Sequence, residues 1–281
     1  MRELPVFQLT QAVRGLFLTA NYDIGPDVEN AVCRAAESEP SPIGKTVLTQ
    51  LAENYRIARS ERVAICQDTG MAVLFIEAGQ DVRFTGGDFE EALQEGVRQA
   101  YREGYLRKSV VREPIFDRVN TGDNTPAVIH LRLVPGDRVR ILALAKGFGS
   151  ENMSAIRMLP PAAGEKGVLG FIVETARNAG PNPCPPIIIG VGVGGDFEQA
   201  ALIAKRMTAR PVGSRHPDPR YAGLEEKALE AVNRLGIGPA GIGGRATALA
   251  VHMDFAPTHI AGLPVAVNIC CHAARHAETV L

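Results

Sequence analysis

The 281-residue chain is 46% hydrophobic and 22% charged, the balance of a folded globular protein rather than a disordered or fibrous one, and long enough to bury a substantial core. Lys and Arg number 30 against 31 for Asp and Glu, a net charge of -1, so no global field recruits nucleic acid and any anionic ligand must be held by local charge. The N-terminus lacks the apolar core and cleavage pattern of a secretory signal, and apolar stretches such as Pro185 to Val193 fall far short of the roughly 20 residues a bilayer helix needs, so a cytoplasmic protein without a membrane span is expected.

A helix is expected near the N-terminus. Ser41-Pro42 reads as an N-cap followed by proline in the first turn, and Ile43, Val47, Leu48, Leu51 and Tyr55 recur at helical spacing, which predicts a helix over 42–58. Strands are expected at 62–65 and 71–77. Asp88 with Glu91 makes a capping-box-like start to a helix whose Phe89, Ala92, Leu93, Val97, Ala100 and Tyr101 share a face, ending at Gly104. Ile129, Leu131 and Leu133 alternate with His130 and Arg132 as in a strand, Pro135-Gly136-Asp137 reads as a turn, and Val139 to Ala145 is the expected hairpin partner. Helices follow at 165–178, 197–209 and 220–235, where Leu224, Ala228, Val232 and Leu235 share a face, and strands at 187–191 and 264–269. The class is mixed α/β. No repeat, low-complexity tract or compositional break divides the chain, so one domain over residues 1–281 is expected, with Pro211 to Pro219 as an ordinary surface connection.

Four loop-like stretches, 66–70, 120–125, 146–152 and 180–186, concentrate glycine, proline and reactive side chains, and sites are usually built on such loops. The first brings a thiol, an amide, a carboxylate and a hydroxyl together in Cys66, Gln67, Asp68 and Thr69; the bland reading is a polar turn with a buried cysteine. Cys184 stands among four prolines that stiffen the backbone and remove amide donors. Cys270 and Cys271 end an apolar run and precede His272, Arg275 and His276; they read either as half-buried strand cysteines or as a thiol at a strand end. Five scattered cysteines make no secreted disulfide framework, and three soft thiolates from separate loops could hold zinc or an iron–sulfur cluster. Three ligands on a four-iron cluster would leave one iron open as a Lewis acid.

His259 can hydrogen-bond or titrate near neutrality, although a lone histidine is more often structural. Arg107, Lys108, Arg112 and Lys146 supply local positive charge, and the glycines of 146–152 could let backbone amides approach an anion. Gly190-Val191-Gly192-Val193-Gly194-Gly195 satisfies a dinucleotide fingerprint, yet Arg210-Pro211 and Pro217-Asp218-Pro219 stand where the next strand and its ribose-binding acid should be. The alternative is a close-packed strand-to-helix turn with Asp196 as a cap.

Taken together, C-Q-D-T-G at 66–70, N-T-G-D-N-T-P at 120–126, K-G-F-G-S-E-N-M-S at 146–154, G-P-N-P-C-P-P at 180–186 and T-H-I-A-G-L-P-V-A-V-N at 258–268 resemble, in order, the class I fumarase and tartrate dehydratase family, and most closely the α subunit of its two-chain members. The resemblance implies a [4Fe-4S] cluster on Cys66, Cys184 and Cys271, the last chosen because the family's ligand directly precedes a histidine; Cys270 is a departure from the pattern. It implies that Gln67 and Asp68 contact substrate carboxylate and hydroxyl groups, that Arg107 and His259 help bind the diacid, that Gly149 offers its backbone, and that Asp68 takes part in proton transfer. The remaining family site residues, including a proposed base, are expected on a separate β subunit, in an assembly such as two α with two β chains. The implied reaction interconverts fumarate and (S)-malate, a step of the tricarboxylic acid cycle, with L-tartrate dehydration to oxaloacetate as the close alternative. A zinc-stabilised binding or scaffold protein is the reading from a different class.

Overall fold

The run from Met71 to Gly79 becomes a nearly fully buried strand, as its β-branched and apolar residues predict, in a computed structural model that describes residues 1–281. Ten strands and eight α-helices give the mixed α/β class expected. They are gathered into two units of interleaved segments: Met1–Ile24, Tyr55–Gly147 and Arg275–Leu281 form the first, Gly25–Asn54 and Phe148–Ala274 the second.

In the first unit a four-stranded sheet runs in the order His276–Val280, Val139–Lys146, Met71–Gly79, Val128–Val134. Met71–Gly79 is antiparallel to Val139–Lys146 and parallel to Val128–Val134. The helices Val6–Tyr22 and Phe89–Glu103 pack with this sheet, burying Leu9, Val13, Phe17, Leu93, Val97 and Tyr101 with Leu74, Ile76 and Ile141. The two helices approach closely because Gly96 has no side chain; a β-carbon there would meet the Val13 β-carbon at 2.7 Å. Asp88 caps the second helix as predicted, accepting from the Glu91 amide at 2.8 Å.

Two expectations fail in this unit. The strands at 129–133 and 139–145 form but are not hairpin partners, because Met71–Gly79 lies between them. The residues around Pro135-Gly136-Asp137 bond instead to the chain leaving that central strand: Gly79 donates to the Arg138 carbonyl at 2.8 Å, Gln80 to Val134 at 2.9 Å and Asp81 to Gly136 at 3.0 Å. The more apolar strand takes the centre, while Val128–Val134, with Leu131 and Leu133 exposed, is left at the edge. No strand forms at 62–65. The preceding helix runs on to Glu61, Arg62 turns through a left-handed φ of 53°, and Ile65 spends its amide on the Asn21 carbonyl at 2.9 Å.

The second unit holds a sheet ordered Ala155–Leu159, Leu263–Cys270, Ile187–Gly194, Ala248–Ala256. Every residue of Ile187–Gly194 is buried. Helices Gly164–Ala179 and Pro219–Asn233 contribute Phe171, Ile172, Ala228 and Val232 to a core with Ile189, Val191 and Met253. Helix Phe197–Met207 lies directly on the glycines of the fingerprint-like stretch. A β-carbon at Gly190 would come within 2.0 Å of the Ala204 carbonyl oxygen, and one at Gly192 within 2.1 Å of that of Ala200. These glycines serve close packing of helix on strand, and Asp196 caps the helix by accepting from the Gln199 amide at 2.8 Å. No helix of the chain is long and apolar enough to cross a membrane.

Beside this packing His252 is 1% exposed, its Nδ1 3.2 Å from the Met207 carbonyl oxygen. Burial, then the nearby Arg210 charge, push its pKa down from 6.5 to about 4. The fold therefore favours the neutral ring: its contribution is complete above the unfolded pKa and drains as pH falls toward the folded one. Urea unfolding at pH 7 and pH 5 should show His252→Gln losing less stability on acidification than the unsubstituted chain, by about 2 kcal/mol; equal losses would contradict this.

Candidate functional site

The Cys66–Gly70 segment belongs to no strand or helix, so its backbone groups must find partners elsewhere, and buried side chains supply them. The Tyr101 hydroxyl lies 2.9 Å from both the Thr69 and the Gly70 carbonyl oxygens. Asn124 Nδ2 donates to the same Gly70 oxygen at 3.2 Å, while its Oδ1 accepts from the Ser109 amide at 2.7 Å. Thr69 Oγ1 donates to the Arg107 carbonyl at 3.1 Å, and Asn120 Nδ2 to that of Lys108 at 3.0 Å. The 66–70 loop, the Arg107–Ser109 segment and the 120–126 motif are thus one hydrogen-bonded cluster. Asn124, fully buried at a left-handed φ of 65°, is its hinge. Gly70, at φ 79°, has no room for a side chain, because a β-carbon would meet the Ala145 carbonyl carbon at 2.7 Å.

This scaffold presents Cys66 half-buried, Gln67 exposed and Asp68 partly buried on consecutive residues, with Arg107 exposed nearby in the chain cluster. Cys66 Sγ is 3.4 Å from Gln67 Oε1, and Asp68 Oδ1 accepts from the Gly70 amide at 3.0 Å. Lys146 is buried at the end of its strand, whereas Arg112 is exposed.

In the second unit the expected loop at 146–152 winds into a short helix, Phe148–Glu151. Glu151 holds it from two sides, through an ion pair with Lys205 and a 3.0 Å hydrogen bond from Asn268 Nδ2. Ser154 Oγ accepts from the Ile269 amide at 3.0 Å, so the motifs 146–154 and 258–268 are tied together. Gly149 is exposed and faces the Cys184 loop: a β-carbon on it would lie 3.7 Å from the Asn182 carbonyl oxygen. In that loop Cys184 is exposed at a left-handed φ of 54°, its amide donating to the Pro181 carbonyl at 3.1 Å, before a cis Pro185–Pro186 bond. A non-glycine residue in that region costs of order 1 kcal/mol and is concentrated at functional sites. His259 lies on the exposed turn after Ala248–Ala256, its Nδ1 accepting from the Ala261 amide at 3.2 Å, which leaves Nε2 as the ring donor. Next to it Thr258 Oγ1 donates to the Gly195 carbonyl at 2.8 Å.

The cysteine doublet is divided by the strand end. Cys270 closes Leu263–Cys270, paired with Ile188 and buried; Cys271 lies just beyond, half-buried, its thiol 3.7 Å from the Ala273 carbonyl oxygen. None of the five cysteines is in a disulfide. Neither unit by itself gathers three His, Cys, Asp or Glu side chains into a metal-holding group, and the candidate thiols are split, Cys66 in the first unit and Cys184 and Cys271 in the second. As a donor set they fit an iron–sulfur group: three soft sulfurs, none buried away from solvent, each on irregular backbone.

Residue-type reasoning assigns no role to Tyr101, Asn124, Glu151 or Asn268. Tyr101 reads as one more apolar position of its helix. The others sit inside quoted motifs, where a polar residue between glycines and prolines is a signal without an address.

The family described as Fumarate hydratase (Fumerase) matches residues 10–280. The chain is 39% identical over 274 residues to the putative L(+)-tartrate dehydratase subunit alpha of Methanocaldococcus jannaschii, covering 96% of each. It is 32% identical over 278 residues to the L(+)-tartrate dehydratase subunit alpha of Escherichia coli K12, covering 98% of this chain and 91% of that one.

Burial holds the Tyr101 phenol well above its ordinary range, so its proton stays available to the two carbonyls. Tyr101→Phe leaves both without this donor and should lower stability by about 1–3 kcal/mol, read as a shifted urea midpoint with an unchanged slope.

Proposed function

The chain belongs to the fumarate hydratase (Fumerase) family, and from that premise we propose that it is the α subunit of an iron–sulfur hydro-lyase acting on a four-carbon dicarboxylic 2-hydroxy acid. The observation that carries the reading is the run Cys66-Gln67-Asp68, a thiol, an amide and a carboxylate in succession on a loop whose backbone is tied down by buried side chains. Cys66, Cys184 and Cys271 would hold a [4Fe-4S] cluster; the partial exposure of Cys271 supports it over the buried Cys270. When bound, such a cluster with one open iron supplies a Lewis acid for the substrate hydroxyl.

The chain's own groups do the rest. The Gln67 amide donates to a substrate carboxylate, and the Arg107 guanidinium can clamp one with two parallel hydrogen bonds. Gly149, without a side chain, lets a diacid approach its backbone. His259 donates from Nε2 to the diacid. Asp68, adjacent to Gln67, exchanges a proton with the substrate. Fumarate, interconverted with (S)-malate, comes first as the reactant, supported by a family description that names fumarate hydratase over residues 10–280; L(+)-tartrate is the second reading, favoured by the names of both relatives. The "subunit alpha" names of the relatives support a separate β chain, which would complete the site. An assembly of two α with two β chains in the cytoplasm is part of the same proposal.

Anaerobic reconstitution should yield iron and acid-labile sulfide in near-equal amounts with broad visible absorption; stoichiometric zinc without sulfide would replace the hydro-lyase with a zinc-stabilised scaffold. With the β chain present, steady-state rates on malate and tartrate separate the two substrates, and the reconstituted α chain alone should be inactive or nearly so. In the doublet, Cys271→Ser should lose the cluster and Cys270→Ser retain it; the reverse pattern would move the third ligand.

A further inference from the structure

Arg275 is 3% exposed, yet its role is not that of a surface cation or a core filler. Its Nη1 donates to the Asp68 carbonyl and lies 3.4 Å from Asn21 Oδ1. Asn21 is fully buried; its Nδ2 donates to the Phe17 carbonyl at 2.9 Å, and its own carbonyl accepts from the Ile65 amide at 2.9 Å. Ile65 and Asp68 flank Cys66 and Gln67, so both sides of the thiol-bearing loop hang on the Asn21–Arg275 pair. The glycine beside them points the same way. A β-carbon at Gly147 would stand 3.2 Å from both Arg275 Nη2 and Asp68 Oδ2, so both groups border the space that the missing side chain leaves. The arginine's own backbone is fixed from the sheet, its carbonyl accepting from the Ala145 amide at 3.0 Å. Its Nε is buried with no protein acceptor in reach.

We propose that Arg275 is a positioning residue for the Cys66–Asp68 loop: by holding the Asp68 carbonyl against Asn21 it sets the direction in which Cys66, Gln67 and Asp68 leave the backbone. Only the kinetic consequence rests on the hydro-lyase reading. A lysine reaches one acceptor where the planar fork reaches several, so Arg275→Lys is as informative as Arg275→Gln, and it preserves the charge if the glutamine chain fails to fold.

Hydrogen exchange on the full chain is the first readout. In both variants amides of residues 64–70 should exchange at least about tenfold faster, while those in Met71–Gly79, Val139–Lys146 and the second unit stay within about threefold. Unchanged exchange in the loop, or uniform acceleration along the chain, would overturn the proposal. The second readout is turnover with the β chain on malate and tartrate, normalised to bound iron. kcat should fall at least about tenfold with KM changed less than about threefold, because positioning of reacting groups is lost more than binding. A loosened loop with kcat within about twofold would overturn the positioning role in the reaction. Localised loosening in a chain whose unsubstituted form turns over neither acid would leave the scaffold role standing and remove the hydro-lyase reading instead.

Discussion

Three successive carbonyls, of Asp68, Thr69 and Gly70, point into protein with no ladder to receive them, and each is taken by a buried side chain. Tyr101 comes from a helix, Asn124 from an irregular loop and Arg275 from the residue before the last strand. A buried carbonyl without a donor costs about as much as a lost hydrogen bond, so these donors determine where the loop can lie. The glycines follow from the same constraint: Gly70 must let the Ala145 backbone pass, and Gly147 must leave Arg275 and Asp68 room. Helix packing, motif loop and strand end all converge on the direction of one short backbone segment.

The second unit solves its problem by removing side chains. Gly190 and Gly192 allow Phe197–Met207 to sit on the central strand at a distance no other residue tolerates, and the neighbouring strand is free to end in the cysteine doublet. Stiffness at Cys184 comes from prolines on both sides and a left-handed residue between them. Glu151, shared by Lys205 and Asn268, fixes the short helix that carries Gly149. Both units therefore combine close backbone approach at glycines with buried polar ties, the first through donors to carbonyls and the second through the shared carboxylate of Glu151.

Local signals were legible where the cause was local. The helix begun at Pro42, the Asp88 and Asp196 caps and the buried strands at 71, 187 and 264 follow from periodicity and capping chemistry. What failed was pairing. Nothing in Val128–Val134 or Val139–Lys146 says that a strand from 50 or more residues earlier will enter between them, and a Pro-Gly-Asp turn imitates a hairpin equally well. The short apolar run at 62–65 imitates a strand, but the Ile65 amide is taken by the Asn21 carbonyl rather than by a neighbouring strand. Ala248–Ala256, rich in alanine, and the short polar His276–Val280 offered weak strand signals. At the site, the motif loops stood out by glycine, proline and thiol content, and their order carried the resemblance. Their supports did not stand out, since Arg275 and Asp68 lie 207 residues apart in sequence and only folding makes them neighbours.

The interleaved chain order has a consequence for biosynthesis. His276–Val280 completes the first unit's sheet beside Val139–Lys146, yet it leaves the ribosome only after all of Phe148–Ala274 has been made. Until then Val139–Lys146 is an open edge, and the donor that holds the Asp68 carbonyl does not yet exist. Domains generally assemble as they emerge, at about 5–20 residues per second, so the loop carrying Cys66 waits about 10–40 seconds after its own synthesis for the arginine 207 residues on. Over that interval the open edge of Val139–Lys146 offers unpaired backbone groups to any other strand, so the last strand protects the sheet as well as completing it.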